Sequence, residues 1–195
     1  MSERQYNKNV FIPKHGGYKN LLTYKKAEII YDGTVYFCNR FFSKYDRTKS
    51  QMVQAARSGK QNIAEASMAS GTSKETELKL TNVARASLEE LLLDYRDFLR
   101  THKYKEWDKN HRYVKRLQEL NKDKNATYET FRKGIEHKNP EISANVLIGL
   151  IKVTTYLLDK QLARLESDFL KEGGLRERMY QARVESRKNK GQQGQ

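Results

Sequence analysis

The sequence predicts an all-α protein, an antiparallel up-down-up-down four-helix bundle with a helical insertion between the third and fourth long helices. Three observations predict this fold. Apolar residues recur at three- and four-residue steps through four long segments. Only two prolines occur, Pro13 and Pro140, so the chain between them lacks the strongest helix breaker. A charged fraction of 32% beside a hydrophobic fraction of 37% is typical of helices that bury one face.

The chain begins with a polar segment, and a long helix follows it. Residues 1–19 contain Pro13 and a pair of glycines, so we expect a flexible arm. The first helix is predicted over residues 21–44, where Gly33 inside the apolar stripe indicates a close approach by another element. Cys38 lies among aromatic residues, which favours a buried structural thiol over a reactive one.

Two capping boxes predict a helix-turn-helix in the middle of the chain. Thr48 with Gln51 predicts the start of the second helix, and Thr72 with Glu75 predicts the start of the third. Gly71 between them is expected to take the left-handed conformation that ends a helix. The inner stripe of the second helix is made of small residues, which predicts close helix packing: Ala56, Gly59 and Ala66.

The segment 103–138 departs from this pattern. It is polar and aromatic, and it predicts a peripheral hairpin insertion with short helices at 113–120 and 128–135. We expect it to have a thin core of its own.

Regular structure resumes at Asn139, a good N-cap that precedes Pro140 in the first helical position. The fourth helix is predicted to end near residue 171. Its apolar surface is wider than one bundle face needs. The helix therefore either contacts another subunit or lies in the centre of the fold.

The predicted organisation has three parts: a flexible arm at 1–19, a bundle at 20–172 and a basic tail at 173–195. Gly173 and the next glycine end the fourth helix. A short extra helix is predicted at 175–187, and the polar residues after it are expected to be disordered.

The composition narrows the class of partner. The net charge is +14, and nucleic acid is the usual partner of such a basic domain, although a solvated surface without a ligand has the same composition. One cysteine excludes an internal disulfide, which suits a reducing compartment. No apolar run approaches the roughly 18 residues of a membrane span, and no signal peptide is evident. We expect a cytoplasmic protein without a membrane partner.

No motif in the sequence indicates an enzyme. The four histidines lack zinc-ligand spacing, and no glycine-rich phosphate loop or paired Glu-x-x-His motif occurs, so no cofactor or metal is expected. Glu65 follows Asn62 on a helix of small residues. We interpret the pair as a polar lock in the bundle, in which Glu65 pairs with Arg57 or Arg85 or bonds a neighbouring helix, rather than as a catalytic acid.

The basic residues of the second and third helices are the candidate binding site. They lie off the apolar stripes beside amide side chains: Lys49, Arg57 and Lys60 on one helix, and Lys74, Lys79 and Arg85 on the other. Because helices joined by a tight turn are antiparallel, we expect the two sets to share a face. Such a face would bind the phosphate backbone of RNA or DNA without reading bases. The alternative is an ordinary solvated surface.

A second basic cluster lies near the C-terminus and includes Arg176, Arg178 and Arg183. It is either a nucleic-acid arm or a solubilising tail.

Three segments carry a resemblance to a family: LLTYKKAE at 21–28, QMVQAARSGKQNIAEA at 51–66 and LTNVARASLEEL at 80–91. They resemble the bacterial four-helix bundle proteins. That group holds the proteins encoded within intervening sequences of 23S ribosomal RNA genes and the accessory variability determinant of diversity-generating retroelements. The ending FLKEGGLRERMY is similar to the longer branch, which carries a four-helix-bundle suffix domain.

The resemblance implies a ring-like homopentamer, a basic surface, and a reverse transcriptase and nucleic acid as partners. It implies no enzymatic activity. The sequence thus favours a non-catalytic, oligomeric, nucleic-acid-binding accessory protein. The alternative is a protein-interaction or scaffolding bundle that does not bind nucleic acid directly, and a hydrolase that uses Glu65 is the third class considered.

Overall fold

The computed structural model describes residues 15–192, and within them the chain forms helices and turns with no strand, which confirms the all-α class. A 3-10 turn at Tyr18–Asn20 precedes the helices α1 (Leu22–Phe41), α2 (Arg47–Ala69), α3 (Lys74–Thr101), α4 (Arg112–Lys122), α5 (Tyr128–Ile135), α6 (Pro140–Glu172) and α7 (Leu175–Gln192). Most of the expected N-terminal arm, residues 1–14, lies outside the described residues.

The long helices pack pairwise around one core. Helix α2 packs against α1 and α3, and α6 packs against α3 and α1. Helices α4 and α5 both pack against α6, and α5 also contacts α1. Helix α7 has no extensive contact with another described helix, and it continues to Gln192, beyond the end expected near 187 and into the polar segment expected to be disordered.

An aromatic cluster fills the core between α1 and α3. The Phe37 ring lies 5.0 Å from the Tyr95 ring and 4.9 Å from the Phe98 ring, both edge-on. Tyr95 is fully buried and donates its hydroxyl proton to Thr34 Oγ1 at 3.1 Å, so its polar atom is satisfied. Cys38 is fully buried nearby, as expected, and burial raises the pKa of its thiol to about 12.

Both capping-box predictions are wrong in detail, although the helix-turn-helix itself is present. Helix α2 is capped by Asp46, whose carboxylate accepts the Thr48 backbone N–H at 2.9 Å, so Thr48 lies inside the helix. Helix α3 is capped by Ser73, which accepts the Thr76 N–H at 3.1 Å, while Thr72 donates to Ala69 O. In each case a neighbouring residue with a short side chain that accepts hydrogen bonds, Asp46 or Ser73, takes the N-cap position in place of the predicted threonine.

The role predicted for Gly71 is also wrong. Its backbone is not among the described glycines with positive φ, so it does not end α2 in a left-handed conformation. A Cβ at this position would lie 2.7 Å from the His15 side chain. Gly16 donates its N–H to Ser67 O at 3.0 Å, so the described end of the arm is held against the α2–α3 turn.

The segment 103–138 belongs to the main core, which corrects its prediction as peripheral. Leu117 of α4 and Phe131 and Ile135 of α5 are buried in the same cluster as the long helices. Gly33 allows this contact, since a Cβ there would lie 2.7 Å from Leu147 and 3.2 Å from Ile135. The close approach predicted at Gly33 is therefore confirmed, and it joins α1 to α5 and α6.

Helix α1 is shorter than predicted and α6 begins as predicted. Phe42 leaves the helix with extended backbone angles and packs its ring 5.4 Å from Phe98. At α6, Asn139 caps the helix by accepting the Glu141 N–H at 2.8 Å, with Pro140 in the first turn. The wide apolar surface of α6 is covered over its first half, where α4 and α5 lie.

In the described part of the chain one helical stretch, Pro140–Glu177, is long and apolar enough to cross a membrane by length and composition, with a mean hydropathy of 1.3 over its best window; it comprises α6 and the start of α7. Lys152 interrupts its apolar sequence, and the absence of a membrane partner stays a prediction. Some 61% of the window is buried within the fold, as in the core helix of a globular domain.

We expect Gly59→Ala to destabilise the protein by about 1 kcal/mol, because overpacking costs about 1–3 kcal/mol and the better helix propensity of Ala returns about 1. A Cβ at Gly59 would lie 2.8 Å from Cδ2 of the fully buried Leu88. Urea unfolding followed by circular dichroism measures the change. Adding Leu88→Val, which shortens the opposing side chain, should cost less in the Gly59→Ala background than alone. Strict additivity of the two substitutions would contradict this packing.

Candidate nucleic-acid interface

The predicted basic residues of α2 and α3 do not share one face. Lys60 lies on the α1 side of α2, with its ammonium 4.3 Å from the centre of the Tyr31 ring. Arg85 lies on the α6 side of α3, with Nε 3.5 Å from Asp159 Oδ1. The two cations therefore occupy opposite flanks of the α2–α3 pair. The tight turn makes α2 and α3 neighbours, but it does not place their basic residues on the same surface.

The remaining four residues of this set differ in their surroundings. Lys74 forms an ion pair with Glu77 at 3.2 Å. Lys49 is half-buried, whereas Arg57 and Lys79 are exposed. No ion pair joins these last three to a described carboxylate. Arg57 and Lys79 are thus the members of the set best placed to meet a phosphate.

The C-terminal cluster is displayed on α7. Arg176 and Arg183 are exposed and form no ion pair with a described residue, while the side chain of Arg178 lies outside the described part of the structure. Glu177 accepts the Gly174 N–H at 2.9 Å and so caps the start of α7.

The predicted polar lock forms without Glu65. Asn62 Nδ2 donates to Ser58 Oγ at 3.1 Å, and Ser58 Oγ lies 2.9 Å from Ser87 Oγ, which links α2 to α3. Glu65 is exposed and has no hydrogen bond or ion pair with a described residue, because it lies opposite the buried stripe of α2. Its expected pairing with Arg57 or Arg85 is therefore wrong.

A cavity of about 340 Å³ lies between α4, α5 and the start of α6, and we call it the α4–α5 pocket. Its wall combines aromatic and aliphatic side chains with three basic ones. The lining residues are Trp107, Tyr113, Arg116, Leu117, Leu120, Thr130, Phe131, Lys133, Gly134, His137, Ile142 and Val146. None of these is acidic.

Aromatic rings form a stacked group at the edge of the pocket. The Trp107 ring lies 4.7 Å from the His111 ring at an angle of 16° and 5.2 Å from the Tyr113 ring. The Arg112 guanidinium lies 4.6 Å from the centre of the Tyr113 ring. Flat rings beside cations are the side chains on which nucleic-acid bases stack.

Two sets of polar contacts hold the loop that carries Trp107. Asn145 of α6 accepts the Trp107 N–H at 2.8 Å and donates to Lys105 O at 2.9 Å, so its amide pairs with the loop backbone. Glu106 forms ion pairs with Arg96 and Lys152 at 3.0 and 2.5 Å. Burial opposes ionisation of Glu106, but the two hydrogen-bonded cations outweigh it and lower its pKa.

A buried lysine lies beside the pocket. Lys26 of α1 is 2% exposed, donates to Asn121 Oδ1 at 2.6 Å and lies 6.0 Å from the centre of the Phe131 ring. Asn121 in turn donates to Leu117 O at 2.9 Å. Lys26 therefore links α1 to α4 beside the pocket. Burial lowers its pKa, and the charge of Asp123 opposes that shift.

The sequence prediction missed the pocket. A signal was available, since residues 103–138 hold eleven Lys or Arg against six Asp or Glu, together with the single tryptophan of the chain. Residues 51–87, which contain the predicted site, hold five Lys or Arg against three Asp or Glu. Within residues 15–192 no group of three His, Cys, Asp or Glu side chains is arranged to hold a metal ion.

No protein-family model, no curated protein and no solved structure matches this chain.

We expect Lys26→Met to stabilise the protein at pH 7, because it removes a charge that burial penalises. The pKa of Lys26 is lower in the folded protein than in the unfolded chain. At pH values between these two pKa values, the unfolded chain therefore binds more protons than the folded protein. Wild-type stability should then rise toward that of the variant as the pH increases through the folded pKa toward about 10.4. Urea unfolding of both proteins from pH 7 to 10 measures the difference. A constant difference would show that Lys26 is not penalised by burial.

Proposed function

We propose that the protein is a non-catalytic, oligomeric, nucleic-acid-binding accessory protein. In this proposal α1, α2, α3 and α6 form the up-down-up-down four-helix bundle, and residues 103–138 are an insertion that packs onto it. The packing of α1 and α3 against both α2 and α6 supports the bundle. We place the protein in the cytoplasm, where one buried thiol stays reduced.

Uncompensated positive charge is the observation that carries the proposal. The chain has 38 Lys and Arg against 24 Asp and Glu. Only eight of the described basic side chains form ion pairs. The others face solvent, other polar groups or aromatic rings without a carboxylate partner. Such a surface attracts phosphate backbones, whose release of counterions favours binding.

The mode of binding we propose follows from where these cations lie. Arg57 and Lys79 on the bundle and Arg176 and Arg183 on α7 are exposed, and no ion pair joins them to a described carboxylate. Contacts of this kind position a strand through its phosphates and depend little on its sequence.

The partner and assembly rest on the resemblance to the bacterial four-helix bundle proteins. It supports a homopentamer and a reverse transcriptase as the protein partner. Exposed apolar side chains give physical support to an assembly, since Leu93 and Tyr156 are each 59% exposed and Leu170 is 84% exposed.

The same apolar side chains favour a second candidate function, a scaffolding bundle that binds other proteins only. In that case the charge serves to keep the assembly soluble. The two functions differ in their response to salt and to charge reversal.

We expect binding of labelled single-stranded and double-stranded oligonucleotides to weaken steeply with salt. For about four phosphate contacts on a single strand, affinity should fall about 50-fold between about 50 and 200 mM KCl. Fluorescence anisotropy measures the dissociation constants, and light scattering of the same samples gives the mass of the protein. Absence of binding at the lower salt would exclude the proposed function and leave the scaffolding bundle.

We expect the double variant Arg57→Glu, Lys79→Glu to reduce the salt slope by about two, because each replaced cation would otherwise neutralise one phosphate, with no change in oligomer mass. The matched control is Arg100→Glu, Lys122→Glu. It changes net charge equally but replaces cations that already pair with Asp97 and Glu119. Equal effects of the two double variants would mean that net charge alone, and not the α2–α3 surface, governs binding.

A further inference from the structure

We propose that the α4–α5 pocket binds one unstacked nucleotide of single-stranded nucleic acid, with the base among the aromatic rings and its phosphate on Arg116 and Lys133. This inference rests on the proposed function and adds to it a defined site and a preference for single strands. It also explains why the segment 103–138 is both basic and aromatic, since the two kinds of side chain would bind the phosphate and the base.

The wall of the pocket suits a flat, partly apolar group. Trp107 and Tyr113 lie on it with their rings 5.2 Å apart, and Phe131 is buried beneath. A volume of about 340 Å³ is at the lower end of small-molecule sites, about 300–1,000 Å³, which fits one nucleotide better than a large cofactor. Stacking of a base on such rings contributes about 1–3 kcal/mol.

The charge of the pocket selects an anion. Arg116, Lys133 and His137 line it, none of the lining residues is acidic, and no described carboxylate forms an ion pair with Arg116 or Lys133. His137 Nδ1 accepts the Asn139 N–H at 3.0 Å, so the neutral ring carries its proton on Nε2, which is available to donate. An apolar wall with unpaired cations around it matches a base that is attached to a phosphate.

The geometry favours a single strand over a duplex. A base can enter a concave pocket only after it leaves its stack and its pairing partner, which costs a few kcal/mol in a duplex. In a single strand that cost is small. The phosphates of neighbouring nucleotides would then meet the basic surface of α4, which continues with Arg112 and Lys115.

The pocket is held in shape before a ligand arrives. Asn145 fixes the Trp107 backbone, and Lys26 links α1 to α4 through Asn121. Binding therefore orders few side chains, which limits the entropy lost on association.

Trp107 is the only tryptophan, so its fluorescence reports on this pocket alone. We would titrate the full chain with single-stranded RNA and DNA of about twelve nucleotides, within the site sizes known for such proteins, and with the matching duplexes. Anisotropy of an end label gives total binding in the same samples. We expect single strands to quench Trp107 emission in parallel with binding and duplexes to quench it less. A comparison of the dissociation constants for RNA and DNA shows whether the protein prefers ribose or deoxyribose strands.

The test variant is Arg116→Gln, Lys133→Gln, and the matched control is Lys44→Gln, Lys124→Gln, which removes two exposed cations outside the pocket lining. We expect the test variant to bind single strands about tenfold more weakly at low salt and the control to bind within about twofold of wild type. Because all four residues are exposed, the helical circular dichroism should be unchanged in both.

The outcomes separate this inference from the proposed function. Binding of oligonucleotides without a change in Trp107 emission, or with equal loss in the test and control variants, overturns the pocket and leaves the function standing. No binding at low salt overturns both. Quenching by duplexes as strong as by single strands excludes an unstacked base. Quenching by an acidic peptide but by no oligonucleotide would assign the pocket to a protein partner and so overturn the inference.

Discussion

The first half of α6 is buried on almost every side, and the rest of the fold has to supply that cover. From Ser143 to Ile148 every residue is buried, and Leu150 and Ile151 follow. Three long helices in a bundle would leave part of this circumference in water, at a cost of roughly 25 cal/mol for each Å² of apolar surface. Helices α4 and α5 cover it instead, and Gly33 lets α1 approach closely enough to complete the enclosure.

Polar groups enclosed by this packing are satisfied by specific partners. Ser143 donates to Ile135 O, Thr154 donates to Leu150 O, and Asn145 bonds the loop that precedes α4. An unpaired group in such a place would cost about 1–3 kcal/mol. The bonds of Ser143 and Asn145 therefore fix how α5 and the loop lie on α6, while the bond of Thr154 stays within α6. The contacts that secure the core are the ones that shape the α4–α5 pocket, because the loop with Trp107 and helix α4 are tied to α6 and α1.

The sequence predicted what short-range patterns determine. Apolar periodicity located the four long helices to within a few residues at most ends, the three shorter helices were also predicted, and the cap at Asn139 was assigned correctly. The caps at Asp46 and Ser73 were missed because several acceptors stand together and only backbone geometry selects one. Positions that depend on the tertiary packing could not be predicted. The flanks on which Lys60 and Arg85 lie follow from the neighbours of α2 and α3. The pocket forms only where α4 and α5 pack against the start of α6, and no local pattern in the sequence specifies that packing.

The amide of Asn145 has a consequence for how this chain can be shortened. It is 3% exposed, and it exchanges two hydrogen bonds with the backbone at Lys105 and Trp107, as a peptide group in a neighbouring strand would. Removal of residues 103–138 would therefore uncover an amide and a set of aliphatic side chains on α6 at the same time. A minimal version of the protein would need new residues on α6 as well as a new connection. Substitutions in residues 103–138 and in the part of α6 that they cover therefore have to change together.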